Sequence, residues 1–439
     1  MFEQFLNHIQ QHHLCSHEDS ILLAVSGGLD SMVMLQLFKE ANFNVGVAHC
    51  NFQLREQDSD LDEKLVHETC IALGIPFFNQ RFETESFAVA HGLSIQMAAR
   101  ELRYAWFDDL VKKYSYNLLA TAHHFDDSME TVLLNITKGA ATEGLTGIPL
   151  KNQYIIRPLL FTTRAQIEKY GAEKKVAWRE DQSNLTDDYQ RNFIRHHVIP
   201  KLREVNPSLE STWQQGIAKI QGDLELIHIA FEDWEKKFIR ETEERTVIDK
   251  KAFDSFSSAV SVLWRFIKKY AFNFDQAREI VLAMQGQSGK RFLSPTHVLV
   301  IDREVIIITR HPQDWDTIVI DGSEQAVSLG PWKLSLSNGH VEVPRTSNMQ
   351  VSIDADKLKF PLRWRKWQHG DSFQPLGMKN NKKLSDFLID NKVSLPDKDT
   401  VTVLESEGTI VYVVGWRIDE RVKISDETQR VLNISVEKV

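Results

Sequence analysis

The chain has 439 residues, 42% hydrophobic and 26% charged, with a net charge of −9. That is soluble globular composition with room for two to four domains at roughly 100–200 residues each, and no run approaches the ~20 apolar residues of a membrane span. Cys15, Cys50 and Cys70 form no Cys-x-x-Cys pair, which argues against a disulfide framework, a Cys-rich zinc site or an iron–sulfur cluster.

The first segment, Met1 to Cys15, has no basic start followed by an apolar run, so no signal peptide is predicted and a cytoplasmic location is expected. From Ile21 to Ala122 short apolar runs alternate with helix-length segments. The runs are Ile21–Val25, Val45–Ala48, Ile75–Phe78 and Asn117–Ala122; the helical stretches include Asp58–Leu73 and Ile95–Lys113. This alternation predicts β-α units around a parallel, doubly wound, Rossmann-like sheet covered on both faces. From about Pro207 to Met284, apolar residues at helical spacing (Ile217, Ile220, Leu224, Ile227) predict a helical domain. From about Asp302, strand-like runs at Val305–Ile308, Trp332–Leu336, Val351–Ile353 and Thr409–Val414, with an Asn338-Gly339 turn signal, predict a mixed α+β C-terminal domain. The expected fold class is therefore α/β at the N-terminus, divided as residues 1–206, 207–310 and 311–439.

The densest chemical signal is Ser26-Gly27-Gly28-Leu29-Asp30-Ser31, between the first strand and an apolar helix, Met32 to Phe38. Strand, glycine turn and helix N-terminus together present backbone N–H groups and a positive dipole end to an anion. The glycines allow close approach and the serines add donors. The Walker lysine and spacing are absent, and Gly286-Gln287-Ser288-Gly289-Lys290 follows no strand. Asp30 either caps the helix or helps hold Mg²⁺.

A second cluster, Thr121 to Thr131, holds His123, His124, Asp126, Asp127 and Glu130 after the fourth strand. In a helix, Asp127 and Glu130, or Asp126 and Glu130, share a face. Such a pair suits an ammonium group or Mg²⁺; acidic residues also complement a helix N-terminus without any ligand. Ligands of doubly wound sheets sit outside the strand C-termini, where both clusters lie.

Charge is unevenly spread. Thr137–Arg203 holds 12 Lys/Arg against 7 Asp/Glu, and Pro361–Lys383 holds 6 against 1. Basic islands on an acidic chain are compatible with local RNA binding. Arg363-Trp364-Arg365-Lys366-Trp367 reads either as an RNA-contacting stretch that stacks bases or as a strand with Trp inward and Arg outward.

The Ser-Gly-Gly-x-Asp-Ser loop resembles the PP-loop of the ATP pyrophosphatase superfamily. An ordered set of further runs is similar to one of its families, the tRNA(Ile)-lysidine synthetases. His49–Arg55 resembles its His-x-Asn-His-x-x-Arg segment, with Phe52 and Gln53 departing from the usual pattern. Ala98–Tyr104, Thr121–Thr131, Gly144–Ile148, Arg157–Leu160, Glu180–Asn184 and Arg191–Arg195 follow in the family's order, and Gly370–Gly377 with Lys382-Lys383-Leu384 extend the match. After Pro396 the usual Arg is missing, with Asp399-Thr400 near its slot.

The resemblance implies an enzyme that joins L-lysine to C2 of the wobble cytidine of tRNA(Ile) with a CAU anticodon. ATP first adenylates the cytidine, pyrophosphate leaves, and the lysine ε-amine then displaces AMP. It further implies that Ser26, Gly27, Gly28, Leu29, Asp30, Ser31, His49 and Arg100 bind ATP, with Asp30 also organising Mg²⁺. His123, His124, Asp127 and Glu130 would bind lysine, and Asp30, Arg103, Arg191 and Arg195 would act in catalysis. Either arginine set could instead form structural ion pairs. A homodimer is compatible with all of this. The competing readings are another PP-loop tRNA-modifying or amide-forming enzyme, and a non-catalytic nucleotide- or RNA-binding module; the former's usual Cys pairs or N-terminal Cys are absent.

Overall fold

The computed structural model describes residues 1–54, 57–180, 190–339 and 346–438. It separates into two compact units, Met1–His228 and Ile229–Val439. The boundary between the units falls inside the 207–310 segment drawn from sequence texture.

In the first unit, helix α1 (Phe2–Gln11) precedes strand β1 (Ser20–Ala24), α2 (Leu29–Glu40), β2 (Asn44–Asn51), α3 (Gln57–Leu73) and β3 (Phe77–Arg81). Then come α4 (Thr84–His91), α5 (Ile95–Tyr114), β4 (Leu118–Ala120), α6 (Phe125–Thr137), β5 (Lys151–Asn152), β6 (Ile155–Ile156) and α7 (Arg164–Lys174). The sheet order is β3-β2-β1-β4-β6-β5, with parallel pairs except β5 against β6. Ile21 and Leu23 face one core and Leu22 the other, so a strand without polar alternation is buried on both sides. The chain order reverses between β1 and β4, which opens a crevice at their C-terminal ends. Short helices α8 (Gln190–Phe193) and α9 (Ile199–Val205) follow, joined by a wider π turn over Ile194–Val198, and then α10 (Leu209–Phe238).

The helical run expected from Pro207 to Met284 is interrupted in the second unit by strands Ile239–Glu241 and Arg245–Asp249. Thr246 and Ile248 are buried while their neighbours are half-exposed, and that period of two overrides the helical texture. These strands join Val305–Arg310, His297–Ile301 and Arg291–Leu293 in an antiparallel sheet. Helices Ala259–Ile267 and Phe274–Met284 share its core through Phe266, Ile280 and Ile306. Two further five-stranded antiparallel sheets, whose central strands are Thr402–Ser406 and Val431–Lys438, enclose a core that includes Trp364, Tyr412 and Ile434. Asn338 and Gly339, expected to turn, instead pair with Leu432 and Val431. Among the described residues no helix is long and apolar enough to cross a membrane.

The strand Leu362–Lys366 settles one alternative. Trp364 is fully buried and donates its indole N–H to Thr402, and Trp367 donates to the Lys398 carbonyl. Arg365 binds Asp371 and Glu405. The inward-Trp reading holds, and neither ring is offered to a nucleobase.

Candidate active site

The loop between β1 and α2 folds as its residue types dictate. Gly27 takes φ +94°, and a Cβ there would come within 3.3 Å of the Asp62 side chain. The Ser31 hydroxyl donates to the Gly28 carbonyl at 2.9 Å and accepts the Ser26 amide at 3.1 Å. Gly28 is the N-cap of α2, so the first-turn amides of Leu29, Asp30 and Ser31 lack partners within the helix and the dipole's positive end faces the loop. The Leu29 side chain is only 2% exposed and packs in the core; what Leu29 can offer a ligand is its backbone.

His49 lies beneath this loop rather than in it. It is buried, and its Nδ1 donates to the Val25 carbonyl at 2.9 Å, so Nδ1 holds the proton of the neutral ring. Burial pushes its pKa below the usual value, despite that bond and the carboxylates of Glu63 and Asp62. His49 therefore props the loop and does not border the cavity described next.

A cavity of about 720 Å³ opens at the strand C-termini. Ser26, Gly28, Leu29, Asp30 and Ser31 form one wall; His123, His124, Asp126, Asp127 and Glu130 form another; Arg103 and Phe52 lie along a third. Of the site residues expected from sequence, Gly27, His49, Arg100 and Arg191 do not border it. Arg100 is exposed, with its guanidinium 4.9 Å from the Tyr104 ring centre. Arg164, Arg179 and Arg203 border it unforeseen.

The acidic cluster is arranged by the start of α6. Asp127 accepts the His124 amide at 3.0 Å, the return bond of a helix cap. Its other oxygen is 3.5 Å from Arg195. Burial alone would raise the Asp127 pKa, but His124, His123 and Arg191 outweigh it and hold the group ionised.

Glu130, expected to contact lysine, borders the cavity. It is fully buried; Arg195 Nε lies 2.6 Å from one oxygen and Arg191 Nε 2.8 Å from the other. With both oxygens engaged, Glu130 orients two guanidiniums. The π turn at Ile194–Val198 carries Arg195 and His196 to the cavity, and such turns recur at functional sites because they re-aim side chains.

His124 sits among carboxylates: Asp126 and Asp127 at 3.5 Å and Asp30 at 3.9 Å. Burial opposes its charge, but Asp127, Asp126 and Asp30 prevail and raise its pKa above the ordinary value. His123, 2.9 Å from the Thr121 hydroxyl, is driven by burial down to about 4 and stays neutral. Asp126 accepts Arg203 at 2.5 Å and the Arg164 amide at 2.7 Å. Burial works against its charge, but His124, the Arg164 amide and Arg203 hold it well below the carboxylate range.

Asp30 offers one oxygen to Arg164 at 2.5 Å; the other is buried with no hydrogen-bond partner among the described residues. No three His, Cys, Asp or Glu side chains among the described residues are grouped to hold a metal unaided. One carboxylate oxygen beside a phosphate loop fits Mg²⁺, which takes one or two carboxylates and completes its shell with phosphate oxygens and water. Glu180 borders the cavity, whereas the matched run Asp181–Asn184, like Arg55, lies outside the described residues.

Comparison with known proteins gives three family matches. A model described as the PP-loop domain covers residues 1–202, the TilS substrate binding domain covers 241–311, and the TilS substrate C-terminal domain covers 362–435. The chain is 37% identical over 432 residues to a tRNA(Ile)-lysidine synthase of Parabacteroides distasonis, spanning 98% of both chains. It is 33% identical over 433 residues to that of Bacteroides thetaiotaomicron, again with 98% of each covered. The corresponding protein of Chlorobaculum tepidum is 45% identical over 232 residues, which is 51% of this chain and 69% of that one.

Proposed function

The chain belongs to the tRNA(Ile)-lysidine synthase family, and from that premise we propose how its cavity performs the family's ATP-dependent modification of tRNA. It is an AMP-forming carbon–nitrogen ligase acting on tRNA(Ile). The observation that carries the residue assignments is the shared cavity: the phosphate loop forms one wall and the His–Asp cluster another.

In our reading the wobble cytidine O2 attacks the α-phosphorus of ATP and pyrophosphate leaves. Ser26, Gly28, Ser31 and the first-turn amides of α2 hold the pyrophosphate oxygens. Asp30 would hold Mg²⁺ through its unpaired oxygen; the ion neutralises phosphate charge when bound. Arg103 and Arg195 meet charge that develops on the phosphates, and Arg191 steadies Arg195 through Glu130. The lysine ε-amine then attacks C2, and AMP leaves with the former O2.

The Asp127 oxygen that faces Arg195, together with neutral His123, takes the lysine ammonium. Only the unprotonated amine attacks, and the nearby Arg195 guanidinium favours proton loss because like charge disfavours the ammonium form. His124, set among Asp30, Asp126 and Asp127, holds these carboxylates in place. We assign residues 1–206 to catalysis and residues 207–310 and 311–439 to tRNA, in a cytoplasmic protein.

The test is incorporation of labelled lysine, with ATP and Mg²⁺, into isoleucine tRNA bearing CAU, set beside methionine tRNA with the same anticodon. Label in the first tRNA alone supports the reading. Pyrophosphate release with a different nucleophile would keep the adenylation step and remove lysine. No ATP turnover would sink the proposal.

A further inference from the structure

Five arginines border the cavity, and four are neutralised at short range. Arg164 is 2.5 Å from Asp30, Arg179 2.8 Å from Asp62, Arg195 2.6 Å from Glu130 and Arg203 2.5 Å from Asp126. Arg103 is the exception. Among the described residues its guanidinium makes no hydrogen bond or ion pair; it lies over the Phe52 ring, 5.1 Å from the centroid. The neighbouring Cys50 supplies no counter-charge, since burial pushes its thiol up to about 12.

Phe52 is itself fixed. Its ring stacks on Phe82 at 5.6 Å with planes 21° apart, and Phe82 and Trp106 form a T-shaped pair at 6.1 Å. The Thr84 hydroxyl donates to the Phe52 carbonyl at 2.9 Å. Phe52 also stands where the family's His-x-Asn-His pattern has its second histidine.

A guanidinium can be held in two ways. A carboxylate takes its N–H donors and cancels its charge. An aromatic face attracts the cation through the ring quadrupole and leaves the in-plane donors open. We infer that Phe52 is a positioning residue that holds Arg103 over its ring, so that a guanidinium uncompensated among the described residues is presented to the phosphates of ATP. This rests on the assignment of Arg103 given above.

The experiment measures tRNA-dependent pyrophosphate release by the full chain and by Phe52→Leu, Phe52→Tyr, Arg103→Ala and the Phe52→Leu/Arg103→Ala double variant. Phe52→Leu lowers kcat by roughly threefold to thirtyfold, the range spanned by cation–π contacts, with KM for ATP moving by less than about twofold. Phe52→Tyr, which restores the ring face, stays within about threefold of the parent. In the Arg103→Ala background the leucine substitution costs less than about twofold, because the partner it positions is gone. An equal loss from Phe52→Leu in both backgrounds, or no loss in either, would overturn the inference. An Arg103→Ala variant as active as the parent would instead refute the role assigned to Arg103. Circular dichroism checks folding, and Phe52→Met replaces Phe52→Leu if the leucine variant does not fold.

Discussion

In the second unit, Arg365 gives two donors to Asp371, at 2.9 and 3.0 Å, and one to Glu405 at 2.8 Å. All three side chains are at most 13% exposed, and the group satisfies itself between two paired strands and the turn that follows one of them. The first unit gathers the same residue types around its cavity but leaves remainders: one Asp30 oxygen, one Asp127 oxygen near Arg195, and the whole Arg103 guanidinium. Closed networks hold a fold in register, whereas open ones are stabilised fully only when a ligand completes them. The difference between structure and chemistry here lies in what is left over, not in which residues are present.

Asp30→Asn should sharpen that contrast most. It removes a charge from the open network and should lower pyrophosphate release by roughly a hundredfold to a thousandfold, the range for losing one transition-state electrostatic contact. Its melting temperature should change little, because the ion pair it gives up, with Arg164, is partly exposed to solvent and worth about 0–1 kcal/mol. Glu130→Gln should affect both readouts. It leaves two guanidiniums beside a neutral amide, and breaking a buried pair costs about 3–5 kcal/mol, measured by chemical denaturation alongside turnover. Arg365→Leu should carry a similar stability loss, about 3–5 kcal/mol, yet turnover per folded molecule at saturating tRNA should stay near the parent value. A large fall in turnover there would break the comparison.

The smallest effect concerns acid. His123 has its pKa depressed from 6.5 to about 4 by burial, so the unfolded chain takes up its proton first. The neutral ring's contribution is intact above pH 6.5 and declines as pH falls from 6.5 towards 4. After allowance for its partial exposure the loss is on the order of 1–2 kcal/mol. Thermal melts of His123→Asn should be flatter than the parent's across that window; parallel curves would contradict the assignment.

The phosphate loop was readable because its chemistry is local: strand, glycines, serines and helix lie within one dozen residues. The parallel strands were readable because double-sided burial leaves an apolar run. Pairings between distant residues were not. Arg164 reaches Asp30 across 134 positions, Arg179 reaches Asp58 across 121, and Arg203 reaches Asp126 across 77. Nothing in a local window separates Glu130 clamped by two arginines from Glu130 waiting for an ammonium. His49 was misplaced for a similar reason: position after a strand puts it near the loop but does not say whether it points into the cavity or beneath it. For Arg363–Trp367, period-two alternation fitted both readings, and only Thr402 and Glu405 on the neighbouring strand decided between them.

The π turn at Ile194–Val198 has a consequence for anyone trying to improve this protein in the laboratory. Deleting one residue there would let the segment close into a regular α-helix with better-aligned bonds. It would also rotate Arg195 and His196 against Arg191 by roughly 100°, one residue's turn of a helix with 3.6 per turn, and release Glu130 from one of its guanidiniums. The loss of that buried contact, about 3–5 kcal/mol, outweighs the gain in helix geometry, so a screen for heat resistance and a screen for lysine transfer would both discard the deletion. Both selections therefore hold this five-residue stretch in place, and stabilised libraries should leave it untouched.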